Sequence, residues 1–233
     1  MAATAAKSWK NSEREFLVDD NTFRKRSLRP DEYIVNIKGD LFVPRQGYER
    51  LQNEAACIRF IRENTEIPVP EVLQAYDDKG AFVLTTRRLH GIEMRELSAE
   101  QQSVVMGQVE SHLHTLRSLR GVYTGGPTGI VCPPPRVTRW FPEGTTWTST
   151  APGPEGPDLV FCHGDLSQSN ILVDPKTLKI EAIIDWEFAG FWPEDFEAPY
   201  FRDPSPSGAQ FTQRASNAQL IAFMESQGHK LDN

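Results

Sequence analysis

DLVFCHGDLSQSNILVDPKTLKIEAIIDWEFAG, residues 158–190, contains three short apolar runs separated by polar segments. The runs lie at 159–161, 171–173 and 180–184, and an Asp-Pro pair follows the second run. Short apolar runs rich in β-branched residues and bounded by turn residues are typical of buried strands. The stretch therefore predicts a strand, a polar loop, a second strand, a turn and a third strand.

Polar side chains stand where these predicted strands end. Asp165 and Asn170 lie in the polar loop, and Asp185 follows the third run. Carboxylate and amide oxygens suit magnesium, and Asp165 can accept the proton of an attacking hydroxyl in metal-assisted phosphoryl transfer. Gly164 permits a tight turn, and His163 can brace the loop by hydrogen bonding. The alternative is that the acidic and amide residues only form turns; their order along three strands favours a site.

The motif HGDLSQSN followed by IIDWE resembles the catalytic and metal loops of the aminoglycoside phosphotransferase-like family, which shares the protein-kinase fold. In that family His-Gly-Asp is followed by four residues and an Asn, and the metal aspartate comes after one short hairpin. The continuation IIDWEFAGFWPEDFE is similar to the fungal branch. The resemblance implies catalytic roles for Asp165 and His163, metal binding by Asn170 and Asp185, and ATP and Mg²⁺ as cofactors.

The same resemblance implies an α+β fold of the bilobal, protein-kinase-like type. We expect a small nucleotide-binding lobe, with an antiparallel sheet and one helix, over residues 1–88. A mainly helical large lobe that carries the catalytic-loop hairpin and the acceptor site is expected over residues 89–233. Relatives carry more helical mass at the end of this lobe, so we expect the large lobe of this chain to be shortened.

Two antiparallel hairpins are predicted in the first half of the chain. One covers residues 14–27 around an Asp-Asp-Asn turn, and the other covers 72–84 around Asp-Asp-Lys-Gly. The segment after the second hairpin is expected to be the hinge between lobes, with Thr86, Arg87 and Arg88 beside the adenine. Relatives commonly carry Glu where Arg87 stands. Backbone groups of a hinge can still hold adenine, whatever the side chain.

A kinase-like small lobe needs a strand lysine that reaches the phosphates and pairs with a helix glutamate. Residues 49–64 place apolar side chains on one helical face, and Glu54 lies beside that face. Two lysines are candidates for its partner: Lys25, on the second strand of the first hairpin, and Lys38, at the end of IVNIK. We prefer Lys25, because residues 28–48 resemble an insertion between strand and helix.

Helices are predicted in the second half of the chain. Ser98 and Gln101 have the spacing of a capping box, and a helix follows to about Arg120. Residues 121–157 are rich in Gly, Pro and Thr and predict a long loop. Residues 215–227 predict a final helix.

Acidic side chains follow the metal aspartate. Glu187 either reaches a metal through water or orients the acceptor. Glu194, Asp195 and Glu197 either hold an ammonium-bearing substrate or cap the helix that starts after Pro193, since acids favour a helix N-terminus.

The composition limits the classes of protein that remain. The chain of 233 residues is 39% hydrophobic, enough for one domain or two tightly joined lobes, and its net charge of -7 argues against non-specific nucleic-acid binding. Three separated cysteines lack metal-ligand spacing and indicate free thiols in a reducing compartment. No signal-peptide core or membrane-length run is visible. We expect a cytoplasmic protein without nucleic-acid or membrane partners.

Two functions from different classes fit the sequence. The preferred one is an ATP- and magnesium-dependent phosphotransferase that acts on a hydroxyl of a small molecule. The alternative is a catalytically weak or inactive kinase-like binding or scaffold protein, because no glycine-rich phosphate loop is present and the last lobe is short. A protein kinase is disfavoured, since Asp-Trp-Glu replaces Asp-Phe-Gly and no Ala-Pro-Glu stretch follows.

Overall fold

The structure is a computed structural model that describes residues 6–35 and 37–231. Its eleven strands among these residues are β1 Lys7–Lys10, β2 Arg14–Val18, β3 Thr22–Ser27, β4 Val72–Asp78, β5 Ala81–Arg87, β6 Ile92–Glu93, β7 Arg120–Gly121, β8 Leu159–Cys162, β9 Ile171–Val173, β10 Ile180–Ile183 and β11 Gly190–Pro193. Its four α-helices among them are α1 Gly47–Asn64, α2 Ala99–Ser118, α3 Pro135–Thr138 and α4 Ala218–Ser226.

The first part of the chain forms a five-stranded antiparallel sheet in the order β1-β2-β3-β5-β4. Both predicted hairpins are confirmed, and they meet where β3 pairs with β5. Strand β1 was not predicted, because its four side chains are all exposed and no apolar face marks it in the sequence. The strand pairs with β2, and Trp9 stacks on Phe16 with ring centroids 5.0 Å apart.

Helix α1 joins this sheet to the rest of the molecule. Leu51 and Ala55, in its first half, pack against β5. Cys57, Ile58 and Ile61, in its second half, enter a larger core with α2 and β8. The apolar stripe predicted for this helix is confirmed, and it contacts two different partners along its length.

The second part of the chain places a helix against two small antiparallel sheets, β10-β9-β6 and β11-β8-β7. The predicted capping box is confirmed, since Ser98 accepts from the Gln101 N–H and the Gln101 side chain accepts from the Ser98 N–H. All three strands predicted within residues 158–190 are present. Strand β11 was missed, because its residues appeared as part of an aromatic and acidic loop.

The predicted long loop over residues 121–157 contains one short helix, α3, and the final helix α4 starts three residues later than expected. Together the elements confirm the α+β class: an antiparallel sheet with one helix, followed by a part that carries helices and small hairpins. No helix within the described residues is long and apolar enough to cross a membrane. The division of the chain after residue 88 stays a prediction.

Asn53 offers a test of how α1 holds the segment after β10. Its side-chain Nδ2 is fully buried and donates to the carbonyl oxygens of Glu187 at 3.0 Å and Ala189 at 2.9 Å. Asn53→Ala leaves these buried acceptors without that donor, so we expect the free energy of unfolding to fall by about 1–3 kcal/mol. Urea denaturation of the variant and of Gln52→Ala, an exposed site on the same helix, measures this. Equal stability of the two variants would contradict the role.

Candidate active site

The loop after β8 begins with His163, which is fully buried. Gly164 has a φ of 81°, which favours glycine, and a Cβ there would lie 2.9 Å from the Phe188 carbonyl oxygen. Nε2 of His163 lies 2.9 Å from the Ile184 carbonyl oxygen, and Nδ1 accepts from the Asp165 N–H at 3.2 Å. Burial lowers the pKa of His163 to about 4. The imidazole is therefore neutral, and both its nitrogens brace the loop.

Asp165 lies two residues into this loop and is half-buried. Its carbonyl oxygen accepts from Nδ2 of Asn170 at 2.8 Å, and the same nitrogen is 3.5 Å from the Asp165 carboxylate. Burial raises the pKa of Asp165 to about 7; Asp185 and Glu187 act in the same direction, and hydrogen bonds from Ser207 and Asn170 oppose it. The carboxyl group thus titrates near neutral pH, which suits a general base.

Asp185 follows β10 with a left-handed backbone, φ 66° and ψ 53°. Its carboxylate is 2.5 Å from Nζ of Lys25, and that nitrogen is 2.8 and 2.9 Å from the two carboxylate oxygens of Glu54. Burial alone would raise the pKa of Asp185, but Lys25 and Arg14 outweigh burial and hold it well below its usual range. Burial likewise opposes the charge on Lys25, and the two carboxylates raise its pKa. We call these three residues the Lys25 triad.

The structure separates the two candidate lysines. Lys25 on β3 pairs with Glu54 on α1. Lys38 lies in an exposed turn between β3 and α1, and it is not among the described residues that line the cavity beside the triad. The described residues between these elements are irregular apart from a short 3₁₀ turn at the start and one isolated bridge, and the insertion stays a prediction.

A cavity of about 200 Å³ opens beside the Lys25 triad, between the five-stranded sheet and the β9–β10 hairpin. Lys25 and Glu54 provide charged groups in its wall, and most of the remaining wall is apolar. A mostly apolar cleft with a few polar groups at one place is typical of a small-molecule site. The apolar lining residues are Val18, Phe23, Pro70, Leu84, Leu89, Leu172 and Ile184.

The predicted hinge residues divide into two groups. Thr86 and Arg88 line the cavity. The Arg87 side chain lies outside it, with Nε 2.7 Å from a Glu71 carboxylate oxygen. The backbone N–H of Arg87 donates to the Glu71 carbonyl at 2.9 Å and that of Arg88 to the Asn21 carbonyl at 2.8 Å. These two N–H groups are therefore already bonded to carbonyl groups of neighbouring segments, and contact of Thr86, Arg87 and Arg88 with adenine stays a prediction.

The predicted metal ligands come from adjacent backbone segments. The Asn170 carbonyl oxygen accepts from the Ile184 N–H at 2.9 Å, next to Asp185. Because Nδ2 of Asn170 is bonded to Asp165, the amide oxygen is the atom left for a ligand. A second possible set of metal ligands also contains Asp185, since carboxylate oxygens of Glu54, Asp185 and Glu187 lie within 4.8 Å of one another. Asp185 belongs to both sets.

Glu187 has a structural contact that the sequence did not indicate. Its buried carboxylate is 2.5 Å from Arg14 on β2 and 3.3 Å from Arg50 on α1. Arg50 also contacts Glu13 at 2.7 Å. The carboxylate is therefore held by the first part of the chain, and a role at a metal or an acceptor stays a prediction. No local signal marks this contact, since Arg14 and Glu187 are 173 residues apart.

Glu197, in the cluster for which an ammonium site or a helix cap was considered, also has a structural contact that the sequence did not indicate. One of its carboxylate oxygens accepts the backbone N–H groups of His163 and Gly164. The other oxygen is buried and has no hydrogen-bond partner among the described residues. Glu194, by contrast, is exposed and pairs with Arg117 at 3.0 Å. Glu197 thus fixes the start of the loop that carries Asp165.

Comparison with known proteins agrees with this geometry. A family model described as "Phosphotransferase enzyme family" matches residues 8–198, which is most of the chain and includes the whole site. The chain therefore belongs to this phosphotransferase family, and the resemblance inferred from the sequence is confirmed.

Two curated relatives share sequence with the chain. The aminoglycoside 3'-phosphotransferase of Streptomyces fradiae is 30% identical over 154 residues, which are 58% of this chain and 57% of that protein. The protein of the same name from Streptomyces ribosidificus is 56% identical over 32 residues, 14% of this chain and 12% of that protein. The matched stretches thus span little more than half the length of the first relative.

Solved structures share the fold. A ternary complex of an aminoglycoside phosphotransferase APH(4)-Ia mutant with AMP-PNP and hygromycin B has a TM-score of 0.54 at 14% identity, covering 84% of this chain and 70% of that one. A GDP and kanamycin complex of APH(2'')-IIIa has a TM-score of 0.55 at 13% identity, covering 97% of this chain and 82% of that one. APH(3'')-Id from Streptomyces rimosus has a TM-score of 0.55 at 17% identity, covering 97% of this chain and 87% of that one. These likenesses confirm the predicted kinase-like fold.

Ionisation of Glu197 makes the stability of the folded protein depend on pH in a way that can be tested. Burial raises the pKa of this carboxyl to about 7 in the folded protein, above its ordinary value of 4.5. The folded chain therefore binds more protons than the unfolded chain between these values, so stability falls as pH rises through this window. Glu197→Gln keeps an oxygen acceptor and cannot ionise. We expect its unfolding free energy to fall less between pH 5 and pH 8 than that of the wild type.

Urea denaturation at both pH values measures this difference. Glu194→Gln removes an exposed acid from the same turn and should follow the wild type. Parallel pH profiles for the wild type and Glu197→Gln would show that the carboxyl does not titrate as described.

Proposed function

We propose that the chain is an ATP- and magnesium-dependent phosphotransferase that transfers the γ-phosphate to a hydroxyl group of a small molecule. The observation that carries the proposal is the Lys25 triad at the wall of a mostly apolar cavity, next to Ile184, whose carbonyl group is bonded to the loop that carries Asp165. Phosphoryl transfer needs positioned cations at the phosphates and a carboxylate at the attacking hydroxyl. The family match supports the same reaction class.

The nucleotide belongs in the cavity beside the triad. Its apolar wall suits a purine ring, and Lys25, held by Glu54, lies where it can reach phosphate oxygens. Thr86 and Arg88 border the same space and remain candidates for contacts with the base or ribose. Solved neighbours of this fold are complexes with AMP-PNP and with GDP, which supports a nucleoside triphosphate as the donor.

Asp185 of the triad and Asn170 are suitable ligands for magnesium. Asp185 is ionised at neutral pH, because Lys25 and Arg14 hold its pKa low, and Asn170 has an amide oxygen left for a ligand. Mg²⁺ prefers such oxygen donors and commonly binds through one or two carboxylates together with substrate phosphates. When bound, the ion neutralises charge on the phosphates. Asp165 accepts the proton of the attacking hydroxyl, and His163 and Glu197 hold its loop in place.

The acceptor is proposed to be a neutral or cationic small molecule. Neighbours of this fold are complexes with hygromycin B and with kanamycin. A cavity of about 280 Å³ is lined by Glu194, Asp195 and Glu197 together with Arg117 and Arg136. Glu197 also holds the start of the loop that carries Asp165, which links this cavity to the proposed base. A cytoplasmic location is proposed as well, since all three cysteines are buried free thiols.

Asp165→Asn tests the assignment of the base. Removal of a positioned base typically lowers the rate by about a hundred- to ten-thousand-fold, so we expect turnover to fall by this amount. Nucleotide affinity and stability should stay near those of the wild type, because the amide keeps the size of the carboxylate. ADP release with magnesium, ATP and an aminoglycoside panel that includes kanamycin and hygromycin B measures turnover.

Asp158→Asn is the matched control, because Asp158 is an exposed aspartate just before β8. Equal turnover in Asp165→Asn and the control, or a parallel loss of nucleotide binding and stability in Asp165→Asn, would remove the assigned role. A wild type that binds nucleotide but turns over no acceptor would favour the binding or scaffold alternative.

A further inference from the structure

The cavity of about 280 Å³ described for the acceptor has a buried cation in its wall, Arg136 on helix α3. This residue is only 5% exposed. Its Nη1 donates to Oδ1 of Asn217 at 3.2 Å, and its Nη2 donates to the carbonyl oxygens of Asp195 at 3.0 Å and Phe196 at 2.9 Å. All three acceptors are uncharged, so these hydrogen bonds hold the guanidinium group in place without balancing its charge.

Arg136 also has an unused hydrogen-bond donor. Its Nε has no hydrogen-bond partner among the described residues, and none of their carboxylates forms an ion pair with its guanidinium group. Burial opposes the charge and lowers the pKa of Arg136. A buried charge without a counter-ion is costly to the protein. An anionic group of a ligand would supply both the missing acceptor and the missing charge.

Acidic groups in the same cavity are left for a cation. Glu194 pairs with Arg117 at 3.0 Å, so these two charges balance each other. Asp195 is exposed, and within the part of the chain that the structure describes its carboxylate forms no ion pair. Glu197 uses one carboxylate oxygen for the Asp165 loop, and its other oxygen is buried without a partner among the same residues. The cavity therefore combines one unbalanced cation with unpartnered carboxylate oxygens.

This combination selects the charge of a ligand. A ligand that is only cationic would leave Arg136 without a counter-ion, and a ligand that is only anionic would be repelled by Asp195 and Glu197. A molecule with one charge of each sign satisfies both ends of the site. Glu197 connects this site to catalysis, because it accepts the N–H groups of His163 and Gly164 at the start of the loop that carries Asp165.

We propose that the acceptor is a small hydroxylated zwitterion, whose carboxylate binds Arg136 and whose ammonium group binds Asp195. This inference rests on the proposed function and narrows its neutral or cationic acceptor to one chemical class. The acceptor hydroxyl oxygen forms a bond to the γ-phosphorus of ATP as the bond between that phosphorus and the β,γ-bridging oxygen breaks. The hydroxyl proton passes to Asp165, and ADP leaves. The products are a phosphate ester of the zwitterion, ADP and one proton.

Pairs of hydroxyl compounds that differ by one carboxylate test the proposal. L-Serine is compared with ethanolamine, trans-4-hydroxyproline with 3-hydroxypyrrolidine, and carnitine with β-methylcholine. ADP release from the full chain with magnesium and ATP gives kcat/KM for each compound. A hydrogen bond to a charged group corresponds to about a 10- to 100-fold change in affinity. The wild type should therefore prefer the zwitterion of at least one pair by this factor in kcat/KM.

Variants of the cavity assign this preference to Arg136. Arg136→Gln should bring the ratio of the two kcat/KM values in that pair close to one, whereas a merely structural role would lower both values and leave their ratio unchanged. Arg139→Gln, the matched control, removes an exposed arginine at the end of the same helix and should keep the wild-type ratio.

Asp195→Asn tests the other end of the site at an exposed position, so the proposal can be judged even if Arg136→Gln does not fold. Both members of each pair carry the cationic group. Asp195→Asn should therefore raise KM for both by about two- to fivefold, the range of exposed ion pairs. An unchanged KM for both would contradict the assigned contact.

Calorimetric titration with ATP separates this inference from the proposed function. Equal kcat/KM within every pair, or an unchanged ratio in Arg136→Gln, overturns the inference. A wild type that phosphorylates kanamycin but no zwitterion overturns it as well and leaves the proposed function standing. The same holds for a wild type that binds ATP but phosphorylates none of the paired compounds. A wild type that binds no ATP overturns both.

Discussion

Lys25 lies between two carboxylates, and the geometry of the site depends on this contact. Its ammonium group is 2.8 Å from Glu54 on helix α1 and 2.5 Å from Asp185 after strand β10. A strand, a helix and a loop from distant parts of the sequence thus meet at one buried charge. Removal of one partner from a buried ion pair leaves an uncompensated charge and costs about 3–5 kcal/mol. None of the three elements can therefore shift alone without a large loss of stability.

A second group of contacts fixes the same loop from another side. Arg14 and Arg50 hold the Glu187 carboxylate, and Asn53 holds the backbone of the same loop. On the opposite side His163 binds the Ile184 carbonyl and so joins the Asp165 loop to the strand before Asp185. The groups proposed to hold phosphates, metal and acceptor are therefore set before any ligand arrives. Preformed geometry of this kind lowers the entropic cost of reaching the reactive arrangement.

The sequence predicted those strands, caps and loop positions that depend on residues close together in the chain. Strand β9 and the positions of Asp165 and Asp185 followed from apolar runs and turn residues within one short stretch, and the Ser98 cap followed from spacing. Contacts between distant segments leave no periodicity behind, and the Lys25–Glu54 pair was expected only through the resemblance to a kinase-like small lobe. The Arg14–Glu187 pair, which joins β2 to the segment after β10, belongs to this class. Strand β1 was missed because its four residues are exposed and show no apolar alternation in the sequence.

Calorimetric titration of ATP, with and without magnesium, on the wild type and on Asp185→Asn tests the central claim most directly. The account predicts magnesium-dependent binding in the wild type, and loss of that dependence in the variant, because Asp185 joins Lys25 to the proposed metal ligands. Asp174→Asn, at the turn of the same hairpin, should behave as the wild type. Equal affinity with and without magnesium in the wild type, or an unchanged magnesium dependence in Asp185→Asn, would contradict the account.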